Sequence, residues 1–151
     1  MKIAEALLER SDLKKKIEQL RDRISENVLV QAGEVPGEDP NEMKKELDSA
    51  VVRLEYLICK INITNVRTMA GDKSLAEIIA EKDALSLSVS VYKTAIRRAG
   101  QIGYRVRGSE IKLTQAISVS EWQKQVDEMS KKIRELDTLL QKTNWTVDLI
   151  E

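Results

Sequence analysis

Histidine and phenylalanine are absent from this sequence of 151 residues, and cysteine occurs once. Without histidine the commonest general base is missing, and so are the Ser-His and Cys-His nucleophile systems and the Glu-x-x-His ligands of di-iron helical bundles. A single cysteine excludes an intrachain disulfide, and without histidine it leaves a structural zinc site no ligand set. The composition therefore predicts a protein that is not an enzyme and holds neither a metal nor another cofactor.

Long uncharged stretches and a charge excess are also missing. The longest uncharged stretch, residues 84–92, has nine residues, whereas a membrane-spanning helix needs about 20 apolar residues. The N-terminus MKIAEALLERSDLKKK has no uninterrupted apolar segment of the kind that secretory signals carry. Lys+Arg and Asp+Glu number 25 each, so the basic excess typical of nonspecific DNA-binding proteins is absent. We expect a cytoplasmic protein that does not insert into membranes.

Apolar residues recur at steps of three and four in four segments, at about 2–31, 40–69, 75–99 and 120–143. The most regular stripe contains Met43, Leu47, Ala50, Leu54, Leu57 and Ile61. A half-buried β-strand would alternate every two residues, whereas steps averaging 3.5 residues are typical of helices that pack as coiled coils. The sequence therefore predicts an all-α protein with four long helices.

The boundaries of these segments carry signals of their own. Residues 32–40 (AGEVPGEDP) contain both prolines, and neither fits inside a helix. Gly71 is expected to end the second helix in the left-handed conformation. Ser74 and Glu77 have the spacing of a capping box that opens the third helix. A serine at position 118 or 120 is expected to cap the fourth.

These helices are expected to form two antiparallel coiled-coil hairpins in a single domain, 1–151. The first hairpin would cover residues 2–69, and the second would combine 75–99 with 120–143. A long loop, 100–119, joins the two helices of the second hairpin, and unstructured loops of that length are often functional. Because narrow aliphatic seams often need a further helix, we expect a homo-oligomer formed by helix packing.

The segment 93–112 is strongly basic. Six positive side chains against Glu110 give a net charge of +5; they are Lys93, Arg97, Arg98, Arg105, Arg107 and Lys112. Guanidinium groups on a glycine-bearing loop bind phosphate or carboxylate bidentately, which makes nucleic acid or another anionic ligand an alternative partner. The other interpretation is that these side chains meet the acidic segment 34–48, of net charge −4, in the same chain or a neighbouring copy.

The second helix ends in the polar residues Asn62, Thr64, Asn65 and Thr68, two of which occupy stripe positions. They indicate a frayed and solvated helix end, a polar layer that fixes register, or an amide network that lines a pocket with the long loop.

Three further side chain types interrupt or flank the stripes. Lys82 stands at a stripe position, which indicates either a side chain that reaches solvent or one that specifies a partner. Cys59 lies beyond the stripe on an outer face and is interpreted as an incidental thiol. Trp122 and Trp145 are expected to fill the ends of the helix bundle.

Four stretches carry a resemblance to a known family: AEALLERSDLKKKIEQLRDRI, KINITNVRT, RGSEIKL and RELDTLLQKTNW. Over essentially its whole length the chain resembles a family of short bacterial proteins of unassigned function, some of which are named septicolysin. The resemblance implies a helical coiled-coil protein, and the name implies a membrane-active lysin. It also implies a binding surface at the motif residues that packing does not explain: Asn62, Asn65, Arg107, Ser109, Glu110, Lys112, Asn144 and Trp145.

The sequence thus favours a non-catalytic, cytoplasmic coiled-coil protein that acts by self-association or by binding a protein partner along its helices. Binding of nucleic acid or an anionic ligand through residues 93–112 is one alternative. A septicolysin-type membrane activity is the other, although no helix has the aromatic and basic face that membrane binding favours.

Overall fold

The computed structural model describes residues 1–101 and 112–150, which form four long helices and one short antiparallel hairpin of two strands. The elements are α1 (Ile3–Asn27), α2 (Pro40–Arg67), β1 (Met69–Ala70), β2 (Lys73–Ser74), α3 (Leu75–Ala99) and α4 (Val119–Thr146). The predicted all-α class is confirmed. The first helix ends earlier than expected and the fourth continues slightly further, as is common at helix ends.

Two compact units divide the described chain. The first unit contains residues 1–68 together with the C-terminal residues from Lys142 onward, and the second contains residues 69–141. Each unit is described by itself below.

In the first unit α1 and α2 pack as an antiparallel pair. Arg53 on α2 binds Glu9 near the start of α1, with Nε and Oε1 2.7 Å apart, and Lys16 binds Glu46 at 2.7 Å. Residues later in α1 therefore pair with residues earlier in α2, as expected for two helices that run antiparallel. The stripe of α2 that faces α1 is called the inner stripe. Met43, Ala50, Leu57 and Ile61 of this stripe are buried, and Leu47 and Leu54 are half-buried.

The C-terminal residues complete the core of the first unit. Leu149 joins Ala6, Leu57 and Ile61 in one buried cluster, and its N–H donates to the carbonyl of Met1 at 2.8 Å. Further along, the Ile150 N–H donates to Thr64 Oγ1 at 3.0 Å, and that hydroxyl donates to the Lys60 carbonyl at 2.8 Å. Thr64 is fully buried, so the expectation of a frayed, solvated helix end is wrong at this residue.

Gly71 does not end α2, which was the sequence-based expectation. The helix stops at Arg67, and the N–H of the extended Thr68 still donates to the Thr64 carbonyl at 2.8 Å. Gly71, with φ 77°, instead takes the first of the two turn positions between β1 and β2, where hairpins favour glycine. The positive φ was foreseen correctly, but the hairpin was not.

The predicted capping box at the start of α3 is confirmed. The Glu77 N–H donates to Ser74 Oγ at 3.2 Å, and the Glu77 carboxylate accepts from the Ser74 N–H at 2.7 Å. These two bonds hold the first turn, and the bonds from Ser74 lower the pKa of the Glu77 carboxyl. At α4 the expected serine cap is Ser118, whose Oγ accepts from the Glu121 N–H at 3.4 Å.

In the second unit α3 and α4 are neighbours that run antiparallel. Lys82 Nζ lies 2.9 Å from Asp137 Oδ1, so this stripe lysine forms an ion pair with the facing helix. Tyr92 packs on Trp122 with ring centroids 5.0 Å apart. Trp145, by contrast, is 56% exposed, and the expectation that it fills the end of a helix bundle is wrong.

Within the described ranges, no helix combines the length and the apolar character needed to cross a membrane.

Leu57→Ala tests the inner stripe. Leu57 is fully buried in the cluster with Leu149, so its truncation should lower the free energy of unfolding by about 2–5 kcal/mol. Urea denaturation followed by circular dichroism measures the change. Leu29→Ala removes the same atoms at a site that is 87% exposed and should cost less than about 0.5 kcal/mol. Equal losses in the two variants would contradict the assignment of the core.

Thr64→Val tests the attachment of the C-terminal residues. The substitution keeps the shape but leaves the partly buried Ile150 N–H without its acceptor, so the free energy of unfolding should fall by about 1–3 kcal/mol. Hydrogen exchange at Leu149 and Ile150 should accelerate. Thr138→Val is the matched control, because exposed Thr138 also donates to the carbonyl four residues earlier, at 2.9 Å. Unchanged exchange at Ile150 would show that this bond does not hold the C-terminus.

Candidate interaction surface

A second apolar stripe runs along α2 outside the inner stripe. It consists of Val52, Tyr56, Cys59, Ile63 and Val66, which follow one another at steps of four, three, four and three residues. We call this set the outer stripe. Over residues 50–66 only Arg53, Glu55 and Lys60 are charged, so most of the circumference of this part of α2 is apolar.

The outer stripe is accessible to solvent. Val52 is 67% exposed and Val66 64% exposed, Tyr56 and Cys59 are also exposed, and Ile63 is half-buried. A helix that is apolar nearly all round is normally covered nearly all round. Exposed apolar side chains that follow one another along a helix, rather than lying scattered, are typical of interaction sites.

Two cations flank the ring of Tyr56 within the outer stripe. Arg53 Cζ lies 5.3 Å and Lys60 Nζ 5.6 Å from the ring centroid, within the range of cation–π attraction. Arg53 also binds Glu9 on α1 through both Nε and Nη2, at 2.7 and 2.9 Å. The aromatic ring is thus held next to the contact between α1 and α2, while its exposed part faces solvent.

One of the sequence-predicted binding residues borders the outer stripe. Asn62 is exposed and lines a shallow depression with Ile63, Val66 and Arg67. A neighbouring depression is lined by Val51, Leu54, Glu55, Ile58 and Cys59. The predicted surface around Asn62 and the outer stripe are therefore one continuous region of α2.

The other predicted binding residues fall into three groups. In the first unit Asn65 and Asn144 are half-buried and Trp145 is exposed. In the second unit Arg97, Arg98 and Lys112 are exposed. Arg105, Arg107, Ser109 and Glu110 lie outside the described residues. So does half of the loop 100–119, for which a pocket with the end of α2 was predicted.

The described arginines of the basic segment occupy the last turn of α3. Arg98 Nη1 donates to Gln101 Oε1 at 2.9 Å. Cations in the last turn of a helix interact favourably with its carbonyl end, which gives Arg97 and Arg98 a role in the helix itself. The helix end therefore accounts for these two side chains without a bound anion.

The acidic segment, the other proposed partner of the basic residues, is paired within the first unit. Four of its six acidic side chains form ion pairs there: Glu38 with Arg23, Glu42 with Lys45, Glu46 with Lys16, and Asp48 with Lys44. The segment therefore presents less free negative charge than its sequence indicates.

A second exposed apolar stripe lies on α3. Ala80, Ala84, Leu87 and Val91 follow at steps of four, three and four; Leu87 is 71% exposed and Val91 66% exposed. On another side α3 buries Leu75, Ile78 and Val89, so both units carry a helix with one covered and one uncovered stripe.

Catalytic geometry is not evident in the described residues. Over residues 1–101 and 112–150 no group of three His, Cys, Asp or Glu side chains is placed to hold a metal ion. Glu9, Glu38 and Glu46 have lowered carboxyl pKa values, chiefly because Arg53, Arg23 and Lys16 respectively donate hydrogen bonds to them. Such carboxylates are ion-paired surface groups, whereas a general acid needs a raised pKa.

Comparisons with known proteins give kinship without a role. A model described as "Family of unknown function (DUF6847)" matches residues 10–149. The chain is also similar to a functionally unknown conserved protein from Corynebacterium diphtheriae, whose crystal structure superimposes with a TM-score of 0.94 at 30% sequence identity, covering 99% of both chains. No curated protein matches. An uncharacterised family was expected, and neither description contains the name septicolysin.

The three ion-paired glutamates predict how stability depends on pH. Their pKa values are lower in the folded chain than when unfolded, so their contribution is complete above the ordinary glutamate pKa of about 4.3 and is lost as the pH falls through the lowered values. Urea denaturation at fixed protein concentration should therefore show stability declining as the pH falls below about 4.3. The triple variant Glu9→Gln, Glu38→Gln, Glu46→Gln should decline less steeply. Identical pH profiles for the two proteins would refute this.

Proposed function

We propose that this chain, which belongs to the family of unknown function DUF6847, is a non-catalytic helical protein of the cytoplasm that acts by self-association along its helices. The observation that carries the proposal is the outer stripe of α2. The inner stripe of the same helix is covered by α1, and the outer stripe repeats its spacing of three and four residues in an exposed position. A helix with two such stripes is suited to pack against two other helices at once.

The chemistry of the outer stripe supports a protein helix as the occupant. Its members are valine, isoleucine, tyrosine and cysteine, which gain free energy when they leave water but offer few hydrogen bonds to a polar ligand. The depressions beside it are shallow and apolar rather than enclosed. A small molecule normally needs a cavity that surrounds it, whereas a facing helix needs only a stripe.

A second copy of the chain is the occupant that best fits the charges. Glu55 and Lys60 lie beside the outer stripe with opposite signs, so the region is able to pair with an identical region turned toward it. The exposed stripe on α3 is a second surface of the same kind that a facing helix could cover. The absence of histidine supports a role without catalysis.

Binding of nucleic acid or another anion is the weaker candidate. The exposed arginines in the last turn of α3, Arg97 and Arg98, favour it. The favourable interaction of cations with the carbonyl end of a helix explains the same two side chains equally well. Arg105 and Arg107 lie outside the described residues. The lysin activity that the name septicolysin implies has no observation in its favour among the described residues.

Sedimentation equilibrium of the full chain at micromolar concentration tests self-association. The wild-type protein should sediment with a mass above the 17.1 kDa of one chain. Val52→Lys combined with Val66→Lys should weaken association by about tenfold or more, because burying an unpaired charge in an apolar interface is costly. Circular dichroism should remain unchanged, since both valines are largely exposed in the single chain.

Val30→Lys combined with Val35→Lys is the matched control. Both valines are exposed in the link between α1 and α2, so the same two substitutions there should leave the sedimenting mass as it is in the wild type. A folded wild-type monomer at micromolar concentration would overturn the proposal. So would a Val52→Lys, Val66→Lys variant that associates as strongly as the control.

A further inference from the structure

We infer that two copies of the chain pair through the outer stripe of α2 with these helices parallel and in register. The inference rests on the proposed self-association and adds the direction and the alignment of the pair. It follows from the charges that flank the stripe, since such charges determine the orientation of coiled-coil partners.

The outer stripe has the spacing of a two-heptad coiled-coil core. Val52, Cys59 and Val66 stand seven residues apart and occupy one type of core position, d, while Tyr56 and Ile63 occupy the other, a. Together the five residues would supply five core layers over about 21 Å of helix.

The two flanks of this core have different charges. The positions that directly follow Val52, Cys59 and Val66 are all basic: Arg53, Lys60 and Arg67. The positions that directly precede Tyr56 and Ile63 are Glu55 and Asn62, and the equivalent position one heptad earlier is Asp48. One flank is thus uniformly basic, and the other contains acidic and amide groups.

These flanks discriminate between the two orientations of a pair. In a parallel pair the acidic flank of each helix lies beside the basic flank of the other, so Glu55 meets Lys60 of the second copy twice across the twofold axis. In an antiparallel pair each flank meets its own kind, which brings Lys60 toward Lys60 and Glu55 toward Glu55. Like charges side by side at an interface are unfavourable, so the charge pattern selects the parallel pair.

Glu55 and Lys60 are the pair that carries this selection. In the described part of the chain neither takes part in an ion pair of its own, and Glu55 is exposed. Arg53 and Asp48 already bind Glu9 and Lys44, so they add less to the contact between copies. The parallel arrangement therefore uses two charges that form no ion pair within the described part of the chain, one of which, Lys60, also lies over the Tyr56 ring.

Single-cysteine variants test the orientation directly. In a Cys59→Ser background, Val52→Cys and Val66→Cys place one thiol at either end of the stripe, about 21 Å apart along the helix. A disulfide requires Cα atoms within about 7 Å. A parallel, in-register pair brings each residue close to its own equivalent, so each variant alone should form a covalent dimer under mild oxidation, visible by non-reducing electrophoresis.

An antiparallel pair gives the opposite pattern. Neither variant would then cross-link by itself, and only a mixture of the two would form a dimer, joined between positions 52 and 66. Mass spectrometry of the linked peptides identifies the joined positions. Sedimentation of the same samples under reducing conditions shows whether they assemble without the disulfide.

Charge reversal provides a second test that does not depend on new thiols. Glu55→Lys should weaken association by about three- to tenfold, because it places a positive charge against Lys60 of the second copy. Adding Lys60→Glu should restore the affinity in a parallel pair, since each new lysine then meets a new glutamate. In an antiparallel pair Glu55→Lys replaces a contact between two glutamates by a contact between two lysines. Adding Lys60→Glu would then not restore the affinity.

The outcomes separate this inference from the proposed function on which it rests. Wild-type monomers in sedimentation would overturn the proposed self-association itself. An assembled protein that cross-links only between positions 52 and 66, or that shows no rescue by Lys60→Glu, would overturn the parallel arrangement alone. Self-linked dimers at both positions, together with the rescue, are the results expected.

Discussion

Aliphatic burial along α2 is the interaction on which the rest of the structure depends. The chain has no phenylalanine, so its core must be assembled from many medium-sized side chains rather than a few large rings. Leu57 and Ile61 are buried jointly by α1 and by Leu149, which joins the middle of the helix to both ends of the chain. Yet α1 and the C-terminal residues cover only part of the apolar surface of α2. The outer stripe is the remainder, and its exposure in the single chain motivates the proposed self-association.

The polar contacts around this core specify arrangement more than they add stability. Exposed ion pairs such as Lys16 with Glu46 contribute little individually. Their value lies in position, because together with the bidentate contact of Arg53 with Glu9 they fix which turn of α1 faces which turn of α2. The proposed pairing of Glu55 with Lys60 of a second copy would act in the same way, since the apolar stripe alone does not distinguish parallel from antiparallel.

The sequence predicted the helices well because the spacing of apolar residues by three and four is visible locally, and it determines both the helix and the side that is buried. Stripe positions such as Leu57 and Val126 are buried, and Ser74 with Glu77 opens α3 as expected. The failures involve contacts between residues far apart in the chain. Thr64 resembled a solvated helix end because its partner, Ile150, is 86 residues away. Gly71 was assigned to a helix end because two-residue strands leave no periodic signal.

The candidate surface was missed for a different reason. Val52, Tyr56, Cys59, Ile63 and Val66 have as regular a spacing as the inner stripe, but a helix that is apolar on two sides looks, in sequence, like one with a broad core face. Only the exposed fractions show which stripe is covered. Cys59 was expected on an outer face and is exposed there, and its spacing from Val52 and Val66 makes it a member of the outer stripe.

The attachment of the C-terminus explains why the outer stripe remains available at the end of α2. Ile150 binds Thr64, which lies on the inner side of the helix, and Leu149 packs on Ile61 of the same side. The C-terminal residues therefore cover the inner stripe where α1 begins, and they leave Val66, on a different side, 64% exposed. The Thr64 hydroxyl donates to the Lys60 carbonyl and accepts from the Ile150 N–H. These bonds hold the last turns of α2 in a helix, and they do not involve the side chains of the outer stripe. A surface presented on a helix that is already ordered loses less conformational entropy when a partner binds, so the internal bonds of this unit would favour the proposed association through the outer stripe.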